Sequence, residues 1–568
     1  MKNLITTRLN VDLNNKSQIY LGKWCLSQYS LQTIEKNNSN ILEYHWNSKT
    51  KFIEDSKYIL KLYESYVVKI AKALNKYHKI NEDIKYWETL IGEWFLNFTS
   101  VLYDRWELIN SDVINKYNIQ MIDDLQLDVP EAPNESHNNY NSDLWNQYVF
   151  DRIIQFRNVN STTRVSIKNL NNAFEPKYIK SQNLRRIVFN NFNKNSELFI
   201  FRSNFGLLNE LLISLKKNKR ASIALLPKFK INSNDNINTS NRNLKLNLVS
   251  GDNFEKFLSQ MIDLFIPKSF IEDYEEINSF VEINMPGYSK NVVTSNAHID
   301  HIPFIFWLAR NRKNINNFVV LQNGGSIGSA LVQCQEYLDQ KISDSYITWG
   351  WEGDKGKNIR SLGASKIIKL KKKFKYKSAN KKDILIITTN GPRYHYTSIS
   401  QSHGPQFIDE INKIVKLCQS LNEDIKKNLI LRLNPKDFGW EINKKIKTIL
   451  PELRIDNNKD FYKSIVDRKL LIFNYNGTSF LEALSLNIPL LLVLDQNIWH
   501  IRDSEKKYFK LLSDVGILHT SQTSIRNFIE KNSKNIEIWW KHELLQKNIK
   551  IFCDRFIKYD KDLIKKII

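Results

Sequence analysis

The sequence predicts an α/β protein made of two halves, each a parallel sheet covered by helices. From residue 383 to 530, short apolar runs alternate with stretches that carry apolar residues at helical spacing, which is typical of repeated βα units. A second, shorter copy of this pattern lies between residues 291 and 350. The composition, 42% hydrophobic and 25% charged, is that of a globular chain and argues against wholesale disorder.

Continuous apolar runs predict the individual strands, because a parallel strand with helices on both faces is apolar throughout. In the C-terminal half these runs are ILIITT (384–389), NLILRL (428–433), KLLIFN (469–474) and PLLLVLD (489–495). In the N-terminal half they are LITT (4–7), NVVTSN (291–296), NFVVLQ (317–322) and SYITWG (345–350). Residues 52–118 have apolar side chains every three or four positions and predict helices.

These patterns predict the domain organisation. We expect an N-terminal domain over residues 1–364, with a helical insertion at about 50–280, and a C-terminal domain over 383–530. A basic linker over 365–382 would join them, and a C-terminal helix over 531–568 would pack back across both domains. The Asn- and Ser-rich stretches 133–143 and 231–243 are predicted to be mobile loops.

The formal charge of +23 predicts a positive surface that favours phosphates, anionic lipids or nucleic acid. The chain shows neither a signal-peptide pattern nor a long apolar run, so we expect a cytoplasmic protein. The four cysteines are far apart in the sequence and are expected to be reduced. The lysine-rich segment 365–382 is interpreted as a solvated linker, or alternatively as a strip that contacts an anionic membrane surface.

The best candidate phosphate site follows the third strand of the C-terminal half. Ligands of open α/β sheets bind beyond the carboxyl ends of the strands, and helix N-termini there favour anions. Asn476, Gly477, Thr478 and Ser479 occupy this position, and Glu482 one turn later is a candidate for binding a ribose or sugar hydroxyl. The spacing from Ser479 to Glu482 also fits a capping box, which needs no ligand.

Two other strand ends of this half supply candidate cations. Arg393 lies on the loop after ILIITT, where it could pair with a phosphate or be an ordinary surface arginine. Arg432 lies inside the next strand, where it could instead be structural, and Lys436 follows that strand, in LRLNPKDFGW (431–440). We count all three among the residues predicted to bind a phosphate-bearing donor substrate.

The N-terminal half has a glycine-rich turn and a cluster of titratable groups. Gln322, Asn323, Gly324 and Gly325 would form a cleft loop, although their spacing is not the dinucleotide fingerprint. His298, Asp300 and His301 are candidates for a base that deprotonates an acceptor hydroxyl. They could also be ordinary core or capping residues, and a metal site is the least favoured interpretation because no helical HxxxH pair is present.

A set of short motifs is distributed in order along almost the whole chain. They are LITT (4–7), LGKWC (21–25), YHW (44–46), YWETLIGEW (86–94), YDRW (103–106), TSNA (294–297), QNGGSIGSAL (322–331), ISDSYITWGW (342–351), PRYHY (392–396), RLNPKDFGW (432–440), YNGTSFLEALSLNIP (475–489) and WW (539–540). Together these motifs resemble those of transferases encoded in bacterial O-antigen and related surface-polysaccharide clusters. The chain departs from the expected pattern at Asn323, where a histidine is expected, and at Asn434 and Lys436.

The resemblance implies a GT-B-like α/β fold, with two Rossmann-like domains facing a cleft and a helical insertion in the first. It implies a metal-independent glycosyltransferase without a tightly bound cofactor, which takes a nucleotide sugar as substrate and a glycan or lipid-linked glycan as acceptor. Nucleic acid is not an expected partner. The alternatives are a polyol-phosphate transferase of the teichoic-acid type and a non-enzymatic polyanion-binding protein.

Overall fold

The computed structural model describes most of the chain, and the statements below concern the described residues. These are residues 1–122, 125, 127–159, 162–165, 195–206, 209–210, 212–213, 221–223, 242, 244, 251–353, 358–374, 376 and 381–567. Nearly all of the stretch 231–243 and a large part of the predicted insertion over 50–280 lie outside them.

The chain folds as two compact units. The first contains Met1–Arg202, Leu211–Phe318 and Pro392–Ser398, and the second contains Ser203–Glu210, Val319–Gly391 and Ile399–Ile568. The main division thus falls after Phe318, whereas the sequence placed the domain boundary at residue 364. Pro392–Ser398 belongs to the first unit although its neighbours in sequence belong to the second.

Four strands of the first unit form a parallel sheet in the order β2-β1-β3-β4. They are β1 (Lys2–Ile5), β2 (Gln18–Tyr20), β3 (Tyr117–Ile122) and β4 (Thr162–Val165). Leu4 of β1 pairs with Ile19 and Ile119, and all three side chains are buried. The strand predicted in LITT is therefore confirmed, but it lies in this separate sheet and not beside the strand predicted at 291–296, as was expected.

The first unit contains three further parallel strands. They are β5 (Asn195–Phe201), β6 (Ala221–Ile223) and β7 (Tyr288–Thr294), with β5 between the other two. The strand predicted at 291–296 is confirmed as β7.

The helices of the first unit include two long ones that confirm the helical character predicted for residues 52–118. The α-helices are Leu31–Lys36, Lys49–His78, Ile84–Leu108, Ser111–Lys116, Pro133–Asn139, Asp143–Phe156, Asn253–Phe265, Tyr274–Asn284, Ala297–Asp300 and Ile302–Asn311. Ser48 and Asp83 cap the two long helices by accepting backbone N–H bonds. The prediction of a mobile loop at 133–143 is wrong, because this stretch contains the helix Pro133–Asn139 and the start of the next helix.

The second unit begins with three parallel strands, of which β9 lies between the other two. They are β8 (Asn317–Leu321), β9 (Ser345–Thr348) and β10 (Ile359–Ser361), and β8 begins at the division between the units. Both strands predicted here, at 317–322 and 345–350, are confirmed.

A six-stranded parallel sheet forms the main core of the second unit. Its strands are β11 (Ile384–Ile387), β12 (Leu429–Arg432), β13 (Arg454–Ile455), β14 (Leu470–Phe473), β15 (Leu490–Val493) and β16 (Leu518–His519). The order is β13-β12-β11-β14-β15-β16, which is the 3-2-1-4-5-6 order of the doubly wound dinucleotide-binding fold. The four apolar runs predicted as strands are confirmed, whereas β13 and β16 were not predicted because each spans only two residues.

Helices cover this sheet and complete its core. The α-helices of the second unit are Cys334–Ile342, Ser365–Lys373, Gln406–Ser420, Glu423–Lys426, Ile442–Ile449, Phe461–Ile465, Thr478–Ser485, Asp503–Asp514, Gln522–Asn532, Ile536–Trp540, Glu543–Phe556 and Leu563–Ile567. Strand residues Leu471 and Leu490 share one buried cluster with Phe480 and Phe552 from two of these helices.

Two segments differ from their predicted form. Ser365–Lys373, predicted as part of a linker, is a helix whose Ile367 and Leu370 enter the core of the second unit. Residues 531–568, predicted as one helix, contain Ile536–Trp540, Glu543–Phe556 and Leu563–Ile567. The predicted α/β class with parallel sheets and many helices is confirmed, whereas the predicted insertion is not purely helical, because its range also contains β3, β4, β5 and β6.

Candidate functional site

The candidate site of the second unit lies where the strand order of its six-stranded sheet reverses, between β11 and β14. At this point neighbouring loops diverge and leave a crevice beyond the carboxyl ends of the strands. Asn474 directly follows β14, and its Oδ1 accepts the backbone N–H of Thr389, which follows β11, at 3.2 Å. Asn474 is 2% exposed, and in the described structure its Nδ2 has no hydrogen-bond partner. An unpaired donor is therefore buried at the ligand-binding edge of the sheet.

The turn after Asn474 ends in an uncapped helix N-terminus. Gly477 is the N-cap of Thr478–Ser485, and no side chain accepts a hydrogen bond there. No hydrogen bond of the described chain uses the backbone N–H groups of Thr478, Ser479 or Phe480. Free amides at the positive end of a helix form a binding site for phosphate or another anion.

The capping box considered for Ser479 and Glu482 does not form. Ser479 is inside the helix rather than at its N-cap, and its hydroxyl bonds the hydroxyl of Tyr475. Glu482 is 4% exposed, and burial raises its pKa to about 7, against the opposing influence of Lys366 and a hydrogen bond from Tyr462. The pKa of Lys366 is correspondingly lowered by burial, although Glu482 opposes this shift.

A glycine turn after β8 packs directly on this helix N-terminus. The N–H of Gly325 donates to Thr478 Oγ1 at 3.0 Å. A Cβ on Gly325 would lie 2.5 Å from Thr478 N and 2.6 Å from Gly477 C, so only glycine fits here. The neighbouring Asn476 is 3% exposed and donates to Ser329 Oγ at 2.9 Å. The structure thus brings the predicted glycine turn and the predicted phosphate turn together.

Gln322 and Asn323 are positioned by other parts of the second unit. Gln322 Oε1 accepts the Trp349 backbone N–H and the Trp351 indole N–H, both at 2.8 Å, while its Nε2 donates to Gly324 O at 2.8 Å. This use of both ends of the amide fixes the glycine turn in place. Asn323 Oδ1 accepts from Asn204 Nδ2 at 3.1 Å.

The two candidate cations near the end of β12, Arg432 in the strand and Lys436 beyond it, lie in different environments. Arg432 donates to Asp456 Oδ2 at 2.8 Å and to Ser464 Oγ at 3.1 Å. This pairing contributes to the lowered pKa of Asp456. Lys436 is exposed, with its Nζ 5.0 Å from the centre of the Phe438 ring.

Arg393 lies in the core of the first unit, where its side chain is fully buried. Its Nη1 donates to Asp143 Oδ1 at 2.9 Å, and its Nη2 donates to Asn141 O at 3.0 Å. Asp143 also pairs with Arg8 at 3.0 Å and accepts the Tyr394 hydroxyl at 2.8 Å. Because the guanidinium is already bound within the core, we do not give Arg393 the phosphate contact that the sequence suggested.

The three candidate bases of the first unit follow β7. His298 is 4% exposed. Asp300 is exposed and pairs with Arg202, whose Nη1 lies 2.6 Å from Asp300 Oδ1. His301 caps the helix Ile302–Asn311, because its Nδ1 accepts the Phe304 N–H at 3.2 Å. Burial and the nearby Arg202 lower the pKa of His301 to about 3.

Sequence reasoning missed three residues of these sites. Asn474 and Thr389 stand at strand ends, and this position could have identified them once the order of the strands was known. Arg202 follows β5 and has a positive φ of 51°. Nothing in the local sequence marks Arg202, because its partner Asp300 is far away along the chain.

The family follows from a match over nearly the whole chain. The model of the LIC12162 family transferases matches residues 2–568. The chain belongs to this family. It is therefore a transferase, and the enzyme class predicted from the sequence is confirmed at this level, whereas a comparison with curated proteins finds no match.

Several solved structures, of UDP-GlcNAc 2-epimerases and of a protein in complex with UDP and glucose, resemble the chain remotely. A UDP-GlcNAc 2-epimerase from Neisseria meningitidis bound to UDP-GlcNAc has 12% identity and a TM-score of 0.32, covering 63% of this chain and 98% of that one. The corresponding enzyme from Methanocaldococcus jannaschii has 10% identity and a TM-score of 0.34, with coverages of 63% and 98%. Anabaena HepE in complex with UDP and glucose has 11% identity and a TM-score of 0.34, with coverages of 65% and 96%. At these TM-scores the likeness carries no argument about the site.

The described residues contain neither a cluster of metal ligands nor a helix suited to span a membrane. Within the ranges given above, no group of three or more His, Cys, Asp or Glu side chains is arranged to hold a metal ion. No helix in the described part of the chain has the length and apolar character needed to cross a membrane.

Proposed function

We propose that the chain is a glycosyltransferase that moves a sugar from a nucleotide-activated donor to a growing bacterial surface glycan, of the O-antigen or a related type. The observation that carries this proposal is the uncapped helix N-terminus of Thr478–Ser485 at the strand-order reversal of a 3-2-1-4-5-6 sheet. Membership of a transferase family supports it. The two-domain GT-B arrangement and the absence of a tightly bound cofactor are parts of the same proposal.

The helix N-terminus would bind the phosphates of the donor. The free N–H groups of Thr478, Ser479 and Phe480 would stabilise the negative charge that develops on the leaving phosphate. Asn474 Nδ2 would supply a further donor from inside the turn. Since these dipoles are fixed by the fold, they need no divalent metal to be correctly oriented.

Glu482 would bind a hydroxyl of the ribose or sugar. It is one turn beyond Thr478 on the same helix, and Lys366 and Tyr462 are the side chains that act on its pKa. Because its raised pKa lies near neutrality, a hydrogen bond from a ligand hydroxyl would favour the ionised carboxylate.

The first unit would present the acceptor, a glycan or lipid-linked glycan. Of the three residues after β7, Asp300 is the exposed carboxylate and His298 is buried. A cytoplasmic location is also proposed. Peripheral contact with an anionic membrane would involve the exposed lysines of Ser365–Lys373, since the apolar face of that helix is buried in the core.

A thermal-shift series with CMP, UDP, GDP and dTDP tests the proposal. A nucleotide at about 100 times its Kd stabilises the native protein by about 2.7 kcal/mol, so one of the four should raise Tm by several degrees. Ser479→Asp places a carboxylate in the first helical turn, which favours the helix but repels phosphate. This variant should keep its unliganded Tm and lose the response to the nucleotide.

Thr523→Asp is the matched control, because it makes the same type of change in the first turn of another helix, Gln522–Asn532. It should retain the response to the nucleotide. A response that survives Ser479→Asp would remove the phosphate site from this turn. Stabilisation by a nucleotide polyol phosphate but by no nucleotide sugar would favour the polyol-phosphate transferase.

A further inference from the structure

The imidazole of His301 is fixed in one orientation by the helix that it caps. Its Nδ1 accepts the backbone N–H of Phe304 at 3.2 Å, at the start of Ile302–Asn311. An N–H donor aimed at Nδ1 requires a lone pair on that nitrogen. The proton of the neutral ring must therefore reside on Nε2.

The surroundings of the ring oppose its protonation. Protonation would place a second hydrogen between Nδ1 and the Phe304 N–H, which would break the cap. The ring also packs against Phe201, with the ring centres 4.9 Å apart, and the charged group that faces it is the Arg202 guanidinium. Asp300, the neighbouring carboxylate, is paired with that guanidinium. Burial and Arg202 lower the pKa of His301 to about 3, and they outweigh a hydrogen bond to the backbone of His301 itself, which raises the pKa.

The other ring nitrogen is available to a ligand. No hydrogen bond to His301 Nε2 is made by the described residues, and this atom is not among the buried polar atoms that lack a partner. It therefore reaches solvent at the carboxyl end of β7, beside the exposed pair of Arg202 and Asp300.

From this geometry we infer that His301 is a permanent hydrogen-bond donor, which binds an oxygen atom of the acceptor through Nε2–H and does not act as the base. This inference deepens the proposed function and rests on it for the identity of the ligand. The Nε2–H would orient a hydroxyl or phosphate oxygen of the acceptor substrate. The base then has to be another group, and Asp300 is the exposed carboxylate beside it.

Imidazole NMR of the full chain labelled with ¹⁵N-histidine tests the state of the ring without any substrate. The signal that disappears in His301→Asn should show a neutral ring with the proton on Nε2, unchanged between pH 5 and pH 8. Asparagine retains an oxygen acceptor for the cap, so the variant should fold. A signal that titrates in this range, or a ring protonated on Nδ1, overturns the inference.

Kinetics with sugar donors built on the nucleotide that stabilises the protein in the thermal-shift series test the role of the ring. His301→Asn should raise the KM for the acceptor about 3–10-fold, as expected for one lost hydrogen bond, and leave the shape of the pH profile of kcat unchanged. His542→Asn, which removes an exposed imidazole of the second unit, should change neither value. Loss of the alkaline or acidic limb of the profile in His301→Asn would identify the ring as the base and overturn the inference. If no nucleotide sugar is a substrate, the proposed function fails while the NMR result still decides the state of the ring.

Discussion

Gly325→Ala tests directly whether the glycine turn must approach the candidate phosphate turn closely. The added Cβ would lie 2.5 Å from Thr478 N, 2.6 Å from Gly477 C and 2.7 Å from Thr478 Cα. All three atoms belong to the backbone at the helix N-terminus, so the clash cannot be relieved by turning a flexible side chain. One of the two turns has to move.

The cost of this movement combines two effects. Overpacking of this kind costs about 1–3 kcal/mol. Losing the hydrogen bond from Gly325 N to Thr478 Oγ1 costs about 1 kcal/mol more. A total of about 2–4 kcal/mol corresponds to a fall in Tm of roughly 5–10 °C in a domain of this size. The response to the nucleotide should also weaken, because the displaced helix N-terminus is the proposed phosphate site.

Gly324→Ala is the matched control, one residue away. A Cβ at Gly324 would meet only the side chain of Ile327, at 3.3 Å from its Cδ1 atom, and that side chain can shift. Its effect on Tm should be small, and the nucleotide response should persist. Differential scanning calorimetry and nucleotide titration of both variants provide the measurement. If the two alanine variants behave alike, the close approach of the two turns is refuted.

Three further predictions concern single buried groups. Asp143→Ala leaves Arg8 and Arg393 without their carboxylate and should lower the free energy of unfolding of the first unit in urea by about 3–5 kcal/mol. The control Glu282→Ala breaks an exposed pair with Arg310 and should lower it by less than about 1 kcal/mol, so equal effects would contradict the buried pairing. Glu482 retains a proton in the native state up to about pH 7 but loses it near pH 4.5 when unfolded, so its contribution to stability falls as pH rises through this window. The Tm of Glu482→Gln should therefore rise relative to the Tm of the wild type from pH 5 to pH 8. A Tm difference that stays constant with pH would argue against the raised pKa. Asn474→Asp keeps the acceptor for the Thr389 N–H but replaces the free Nδ2 donor with a negative charge. Isothermal titration calorimetry should therefore show a nucleotide affinity reduced at least about 10-fold, and an unchanged affinity would exclude Asn474 from the site.

The strands and the phosphate turn were predictable because their signals are local. A strand buried on both faces requires a continuous apolar run, and β11, β12, β14 and β15 each coincide with such a run. The position of Gly477–Ser479 at a strand-to-helix junction was equally visible. These features depend on residues that are adjacent in sequence.

The roles of individual charged side chains were not predictable in the same way. Arg393 has the local sequence of a surface loop, yet its partner Asp143 is 250 residues earlier in the chain. The lysine-rich segment was expected to be solvated, but Ile367 and Leu370 fall on one face of a helix that enters the core. In both cases, whether the side chain is buried depends on which distant segments of the chain pack against it.

The sequence by itself determined the α/β class, most of the strands and the family, because hydrophobic periodicity and collinear motifs are properties of the chain. Only the tertiary structure decided the strand order 3-2-1-4-5-6, the contact between Gly325 and Thr478, and the pairing of Asp300 with Arg202. The physical reason is that strand order, close approach and electrostatic environment are set by contacts between segments far apart in sequence. No local pattern of residues encodes which of these segments meet.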